Sequence, residues 1–324
     1  MTASPPTPAF TTLISADALR ALMATPAGAN IVIVDTSFDL ADVTAGERNW
    51  RDAHLPGARY LNLDTDLSGA RSRADGSFRG RHPLPERAAF ALTLARCGIT
   101  PATQVVAVDR QGGMVAARLW WMLRWMGHAQ VALLDGGVAA WTASGGALVS
   151  EPVGEVDVKT RAAPAAPAYP QRPPLTTTVS ADELAAALIE KQSPVQLIDA
   201  RAPERFRGDV EPLDAAAGHI PGAKNRFFKD NLASDGRFKP AAVLRAEFDA
   251  LLGAPATPEA AVPAGVRAAA SSVVRSVVHQ CGSGVSACHN LLAMEHAGLP
   301  GAALYPGSWS EWSADPSRAV ARGG

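Results

Sequence analysis

The chain has 324 residues, of which 47% are hydrophobic and 19% charged, and its formal net charge is -1. That length exceeds one ordinary core and suits two domains of about 150 residues each, while the charge balance carries no basic footprint, so no nucleic-acid partner is expected. No stretch approaches the roughly 18 uninterrupted apolar residues of a membrane span, and the opening MTASPPTPAF has no cationic segment leading into an apolar run, so a cytoplasmic protein without a membrane partner is expected.

In chain order, a helix is expected over 15–24 with Ser15 as its N-cap, followed by an apolar strand over 31–34 that runs into Asp35 and, later, by His54-Leu-Pro-Gly-Ala58. A strand over 105–108, a helix over 116–126 and a strand over 131–134 complete the first half. Residues 149–174 contain AAPAAPAYPQRPP, where proline denies the backbone helix-interior and central-strand conformations, so this stretch is read as a linker. The second half opens with a helix over 180–190, where Ser180 and Glu183 form a capping-box pattern. An apolar strand over 195–199 ends in Asp199, His219-Ile-Pro-Gly-Ala223 follows, and a strand over 273–278 leads through a cysteine loop into a helix over 287–297. Near-continuous apolar strands alternating with helices predict an α/β fold, each half a parallel sheet flanked by helices on both faces.

The halves are one unit written twice. His54 and His219 are 165 residues apart, and the pairs Gly113/Gly284, Gly127/Gly298, Gly136/Gly307 and Trp141/Trp312 are all 171 apart. The six additional residues are assigned to the Ala- and Pro-rich stretch 253–270, expected to be a surface loop. The predicted organisation is an N-terminal domain over 10–148, the linker over 149–174 and a C-terminal domain over 175–320.

Cys97, Cys281 and Cys288 form no CxxC pair, so neither a disulfide framework nor a zinc site is expected. Cys281 opens the strand-to-helix turn Cys281-Gly-Ser-Gly-Val-Ser286, where strand end, loop amides and a helix N-terminus converge. Glycines at 282 and 284 let successive N–H groups turn toward a bound anion, which would favour a thiolate and then a persulfide. A free cysteine is more often a small buried hydrophobe, and that reading is kept for Cys97 and Cys288. His54 and His219 recur in both halves and are read as turn-stabilising, Asp35 and Asp199 as backbone-holding, and Arg207 as part of a solvated edge.

These residues resemble the tandem rhodanese-domain sulfurtransferases, a family comprising thiosulfate and 3-mercaptopyruvate sulfurtransferases. The resemblance is carried by the cysteine loop, the two HxPGA elements, Asp199-Ala-Arg-Ala-Pro-Glu-Arg-Phe-Arg-Gly208, Trp120-Trp-Met-Leu-Arg124 and Gly307-Ser-Trp-Ser-Glu-Trp312. It implies two rhodanese-like domains, of which only the second keeps the catalytic cysteine, and the position matching Cys281 in the first half is Arg110. It implies Cys281 as nucleophile, Ser283 acting with His82 and Asp64, and donor binding by Arg205 with Gly282, Ser283, Gly284, Val285 and Ser286. The loop CGSGVS is similar to that of mercaptopyruvate enzymes, whereas a second donor-binding arginine expected nine residues after Arg205 is Asp214. That mixture leaves the donor open between thiosulfate and 3-mercaptopyruvate.

The implied chemistry is ping-pong transfer of sulfane sulfur through a Cys281 persulfide to cyanide, a low-molecular-weight thiol or a thioredoxin-like reductant, with no metal or organic cofactor. A cysteine phosphatase would need an arginine where the chain has Ala287. The remaining alternative is a noncatalytic sulfur-carrier or regulatory binding protein, which predicts loss of the cysteine or of the loop glycines.

Overall fold

The computed structural model describes residues 10–150, 167–189, 195–253 and 277–323. The first half contains β1 (Leu13–Ile14), α1 (Ala16–Met23), β2 (Ile31–Asp35), α2 (Ala45–Asp52), β3 (Arg59–Tyr60), α3 (Arg87–Arg96), β4 (Gln104–Val108), α4 (Ala116–Trp125), β5 (Val131–Leu134) and α5 (Gly137–Ala143). The second contains β6 (Thr177–Thr178), α6 (Ala181–Ile189), β7 (Gln196–Asp199), α7 (Pro203–Arg207), β8 (Lys224–Asn225), α8 (Ala241–Leu252), β9 (Val277–Gln280), α9 (Ala287–His296), β10 (Ala303–Leu304) and α10 (Ser308–Trp312). Each half is a five-stranded parallel sheet, ordered β1-β5-β4-β2-β3 and β6-β10-β9-β7-β8. Helices flank the sheets, as the unbroken apolar strands require: every residue of β4 and β5 is buried, leaving neither face for water.

The predicted caps are present. Ser15 Oγ accepts from Ala18 N–H at 3.2 Å. Ser180 and Glu183 close a reciprocal box, Glu183 N–H to Ser180 Oγ at 3.2 Å and Ser180 N–H to the Glu183 carboxylate at 2.7 Å. The proposed loop over 254–270, the linker over 151–166 and the strand start over 273–276 lie outside the described residues.

The two halves meet through α4 and α9, which begin 171 residues apart and pack on each other. Trp120, Trp121 and Met122 on α4 and Leu291, Leu292 and Met294 on α9 belong to one buried apolar cluster that spans both halves. Parting the halves would expose these side chains at about 1.5–3 kcal/mol for each one fully buried, so burial across α4 and α9 holds the two domains together.

Candidate active site

The loop from β9 to α9 begins at Cys281, only 1% exposed. Its backbone is held by the turn that opens α10: Cys281 N–H donates to Ser308 Oγ at 3.1 Å, Trp309 N–H to Cys281 O at 2.9 Å and Ser310 N–H to Gly282 O at 2.9 Å. Ser308 has φ +54°, the one non-glycine residue among those described with a left-handed backbone, and its hydroxyl donates to Tyr305 O at 2.9 Å. Gly284 has φ +76°, and a methyl group there would lie 2.3 Å from Pro306 O, so neither the turn nor the space admits a side chain.

The cysteine loop has a twin in the first half that shows what its geometry holds. Between β4 and α4 the buried carboxylate of Asp109 accepts N–H groups from Gln111 at 2.9 Å, Gly113 at 2.7 Å, Val115 at 2.8 Å and Ala116 at 2.9 Å. The equivalent N–H groups 171 residues on belong to Gly282, Gly284, Ser286 and Ala287, and none has an acceptor among the described residues. The same loop is an anion cradle twice over, plugged by a carboxylate in one copy and open beside a cysteine in the other.

The first half supplies two residues beside that cradle. His82, from the segment between β3 and α3, is buried, with Nδ1 2.7 Å from Ser283 Oγ and Nε2 3.2 Å from an Asp64 carboxylate oxygen. Burial, reinforced by the guanidinium groups of Arg118, Arg81 and Arg71, holds the His82 imidazole down to about 3, so it is neutral near pH 7. The neutral tautomer that satisfies both contacts carries its proton on Nε2, donates to Asp64 and accepts the Ser283 hydroxyl proton at Nδ1. Sequence reasoning missed Arg118, which is fully buried in α4 and donates to Gly284 O at 3.0 Å, His82 O at 3.0 Å and Leu67 O at 3.4 Å. It staples the histidine segment to the cysteine loop; the available signal was a cation set inside the otherwise apolar stretch VAARLWWML that ends at Leu123.

Arg205 on α7 is paired through Nη2 with Glu211 at 2.6 Å and Asp214 at 3.0 Å. Asp214 also pairs with Arg81, so a guanidinium from the first half occupies ground where the sequence offered only a carboxylate. Arg201 is buried rather than solvated, bonded to Asp199 at 2.7 Å and to Gly218 O at 2.7 Å, whereas Arg207 is exposed and paired with Asp209 as expected for a surface edge. A cavity of about 190 Å³ gathers Cys281, Gly282, Ser283, Val285, Ser286, His82, Arg81 and Arg205, with Leu40, Leu63, Met114, Phe227 and Phe228 as its apolar wall. Gly284 lies outside that lining, turned toward Pro306, and Asp64 meets the cavity only through His82. A larger cleft of about 600 Å³, bordered by Arg73, Trp125, Tyr305 and Glu311, contains no residue of the cysteine loop.

The remaining readings fall into place. His54 Nδ1 lies 2.6 Å from Trp50 O and His219 Nδ1 2.8 Å from Phe206 O, each ring stacked on the neighbouring aromatic. Asp35 and Asp199 accept the N–H two residues on, from Ser37 at 2.8 Å and Arg201 at 2.9 Å. Burial pushes the Cys97 and Cys288 thiols up to about 12, which keeps both protonated and inert. Among the described residues no cluster of His, Cys, Asp and Glu is arranged to hold a metal, and no helix is long and apolar enough to cross a membrane.

The Rhodanese-like domain family matches residues 15–144 and 180–315. A probable 3-mercaptopyruvate sulfurtransferase of Pseudomonas aeruginosa is 42% identical over 313 residues, covering 96% of this chain and 98% of that protein. A putative thiosulfate sulfurtransferase, SseB, of Mycobacterium tuberculosis is 39% identical over 308 residues, covering 92% and 93%. Among solved structures, 3-mercaptopyruvate sulfurtransferase from Leishmania major superimposes with a TM-score of 0.71 at 28% identity, covering 94% of this chain and 74% of that one. With the domain in both halves and such relatives along nearly the whole chain, the protein belongs to the tandem rhodanese-domain sulfurtransferases and is a sulfurtransferase enzyme.

Proposed function

We propose that this enzyme takes 3-mercaptopyruvate as its sulfur donor and carries the sulfur as a persulfide on Cys281. The observation that supports this reading is the chain Ser283–His82–Asp64 beside the cysteine. When the Cys281 thiolate attacks the thiol sulfur of mercaptopyruvate, the carbon–sulfur bond breaks and its electron pair passes to the methylene carbon, giving the enolate of pyruvate. The thiol proton must move to that carbon, so thiolate and mercaptopyruvate become persulfide anion and pyruvate with no external oxidant or acid. Ser283, hydrogen-bonded to the neutral His82, carries that proton, and Asp64 offsets the charge that develops on the imidazole. Thiosulfate would need no such relay, because its sulfur–sulfur bond breaks directly to sulfite.

Charge balance supports the same donor. Arg81, Arg201 and Arg205 are matched by Asp199, Glu211 and Asp214, and the loop GSGVS adds no cation, an environment that suits one negative charge better than two. The free amides of Gly282, Gly284 and Ser286 stabilise the persulfide, and cyanide, a small thiol or a thioredoxin-like reductant then removes the outer sulfur. Three free cysteines suit a reducing compartment such as the cytoplasm. The name carried by the Pseudomonas relative agrees with this donor.

The test is steady-state transfer to cyanide with each donor in parallel, using Cys281→Ser as the blank. The expected result is a kcat/KM for mercaptopyruvate at least about tenfold above that for thiosulfate. A preference for thiosulfate overturns the donor assignment, and absence of turnover with both in a folded protein overturns the persulfide role of Cys281.

A further inference from the structure

Two guanidinium nitrogens beside the cysteine loop have no hydrogen-bond partner among the described residues. Arg81 reaches Asp214 through Nη1, and Arg205 reaches Glu211 and Asp214 through Nη2, which leaves Arg81 Nη2 and Arg205 Nη1 unused. The Nε atoms of both side chains are also buried without partners. The two unused Nη atoms converge on one place: a methyl group built on Gly282 would lie 2.8 Å from Arg81 Nη2 and 3.5 Å from Arg205 Nη1. Gly282 has no left-handed φ, so the backbone does not require glycine there, and the space in front of the two guanidinium groups does.

Arg81 is also held rigidly. Its backbone N–H donates to Ser310 Oγ at 3.1 Å, in the same turn that holds the backbone of Cys281 and Gly282, and Gly80 packs directly on Gly307 O. Its side chain is 19% exposed and that of Arg205 18%, while Asp214, at 2%, bridges them. Two cations held side by side by one carboxylate, each presenting an unused N–H edge to the cavity floor, match the two oxygens of a carboxylate ligand.

We propose that Arg81 is a substrate-binding residue: with Arg205 it clamps the carboxylate of a monoanionic 2-keto acid, and Asp214 is the strut that sets the spacing of the two guanidinium groups. The identity of the acid rests on the donor reading above; the clamp itself does not. The segment that brings His82 to Ser283 thus also brings the second anchor for the substrate, and a donor lacking a carboxylate has no use for Arg81.

The test uses the full chain with Arg81→Gln, Arg81→Lys and Gly282→Ala. Pyruvate binding is measured by calorimetry, and turnover with 3-mercaptopyruvate and with mercaptoacetone, the same thiol ketone without the carboxylate. For Arg81→Gln the pyruvate Kd and the mercaptopyruvate KM should rise about 10- to 100-fold, the scale of one lost charge-assisted hydrogen bond, with kcat changed less than about threefold. Mercaptoacetone turnover should be unchanged, Arg81→Lys should restore part of the affinity, and Gly282→Ala, which fills the space while keeping both arginines, should raise the same KM. Equal losses with both thiol ketones, or an unchanged pyruvate Kd, would overturn the clamp and leave Arg81 as a partner of Asp214 only. A wild-type enzyme that turns over only thiosulfate, yet loses pyruvate affinity on Arg81→Gln, would overturn the donor reading and uphold the clamp.

Discussion

His82→Gln separates the two donor reactions, with mercaptopyruvate and with thiosulfate. The substitution keeps a side chain able to reach Ser283, now 2.7 Å from His82 Nδ1, and leaves the His82 carbonyl that Arg118 uses. It removes the ability to take and return a proton. General acid–base assistance of this kind is worth about 10²–10⁴-fold, or about 2.7–5.4 kcal/mol of barrier. We expect kcat/KM for mercaptopyruvate to fall by that factor, read as pyruvate release in a lactate dehydrogenase-coupled assay, while sulfite release from thiosulfate stays within about threefold. The pH dependence adds an internal control. Because burial holds His82 down to about 3, the wild-type profile should show no break from this imidazole between pH 5 and 8. Equal losses with both donors, or a wild-type break near 6.5 that disappears in His82→Gln, would refute the relay of a neutral imidazole.

Two further outcomes follow from buried polar groups. His82, His279 and His289 are held by burial to about 3, 3 and 4, below the ordinary histidine value of about 6.5. As pH falls below 6.5 the unfolded chain takes up protons that the folded one refuses, so the stability present above that pH is lost toward pH 3–4, by about 4 kcal/mol per pH unit for the three together. Thermal unfolding should therefore give a Tm that is flat from pH 7 to 8 and steep below 6, and a Tm constant down to pH 4.5 would contradict it. Asp109→Ala empties the first-half cradle and strands four N–H donors, which should lower stability by about 3 kcal/mol or more while leaving kcat/KM for sulfur transfer within a few-fold. Urea unfolding and steady-state kinetics on one preparation test both halves of that statement.

The sequence carried the repeated parts of the fold because repetition does not depend on local propensity. The expected helices over 116–126 and 287–297 end within a residue of α4 and α9, and the offset of 171 that paired Gly113 with Gly284 also pairs the two helices that weld the halves. The two-residue strands β1, β3, β6, β8 and β10, all but β10 at sheet edges, are too short to hold a period and exist only by pairing with their neighbours in the sheet. The five-residue helices α7 and α10 lie below any length stable by itself and form because the loops around Arg205 and Cys281 are held from outside. Ser283, His82 and Asp64 were reachable only by resemblance, since Ser283, the partner that makes His82 meaningful, lies 201 residues away from it. Arg81 was invisible for the same reason: its partner Asp214 lies 133 residues away, and read alone that aspartate looks like a missing arginine.

The duplicated half, whose loop has Arg110 where the other has Cys281, is therefore more than a scaffold. Its own loop spends the anion cradle on Asp109, which fixes the β4–α4 turn, while Arg118 on α4 is held in place by its own three carbonyl partners. Arg118 in turn ties His82 to Gly284, and the neighbouring residue Arg81 reaches Asp214. The same loop is thus used in two ways: in the first copy an internal carboxylate makes it a structural joint, and in the second the matching N–H groups lie beside Cys281, where we propose they hold the persulfide. An isolated second half would retain Cys281 and its loop amides but lose His82, Asp64, Arg81 and the apolar face of α4, so on the proposed mechanism sulfur transfer depends on both copies being present and docked.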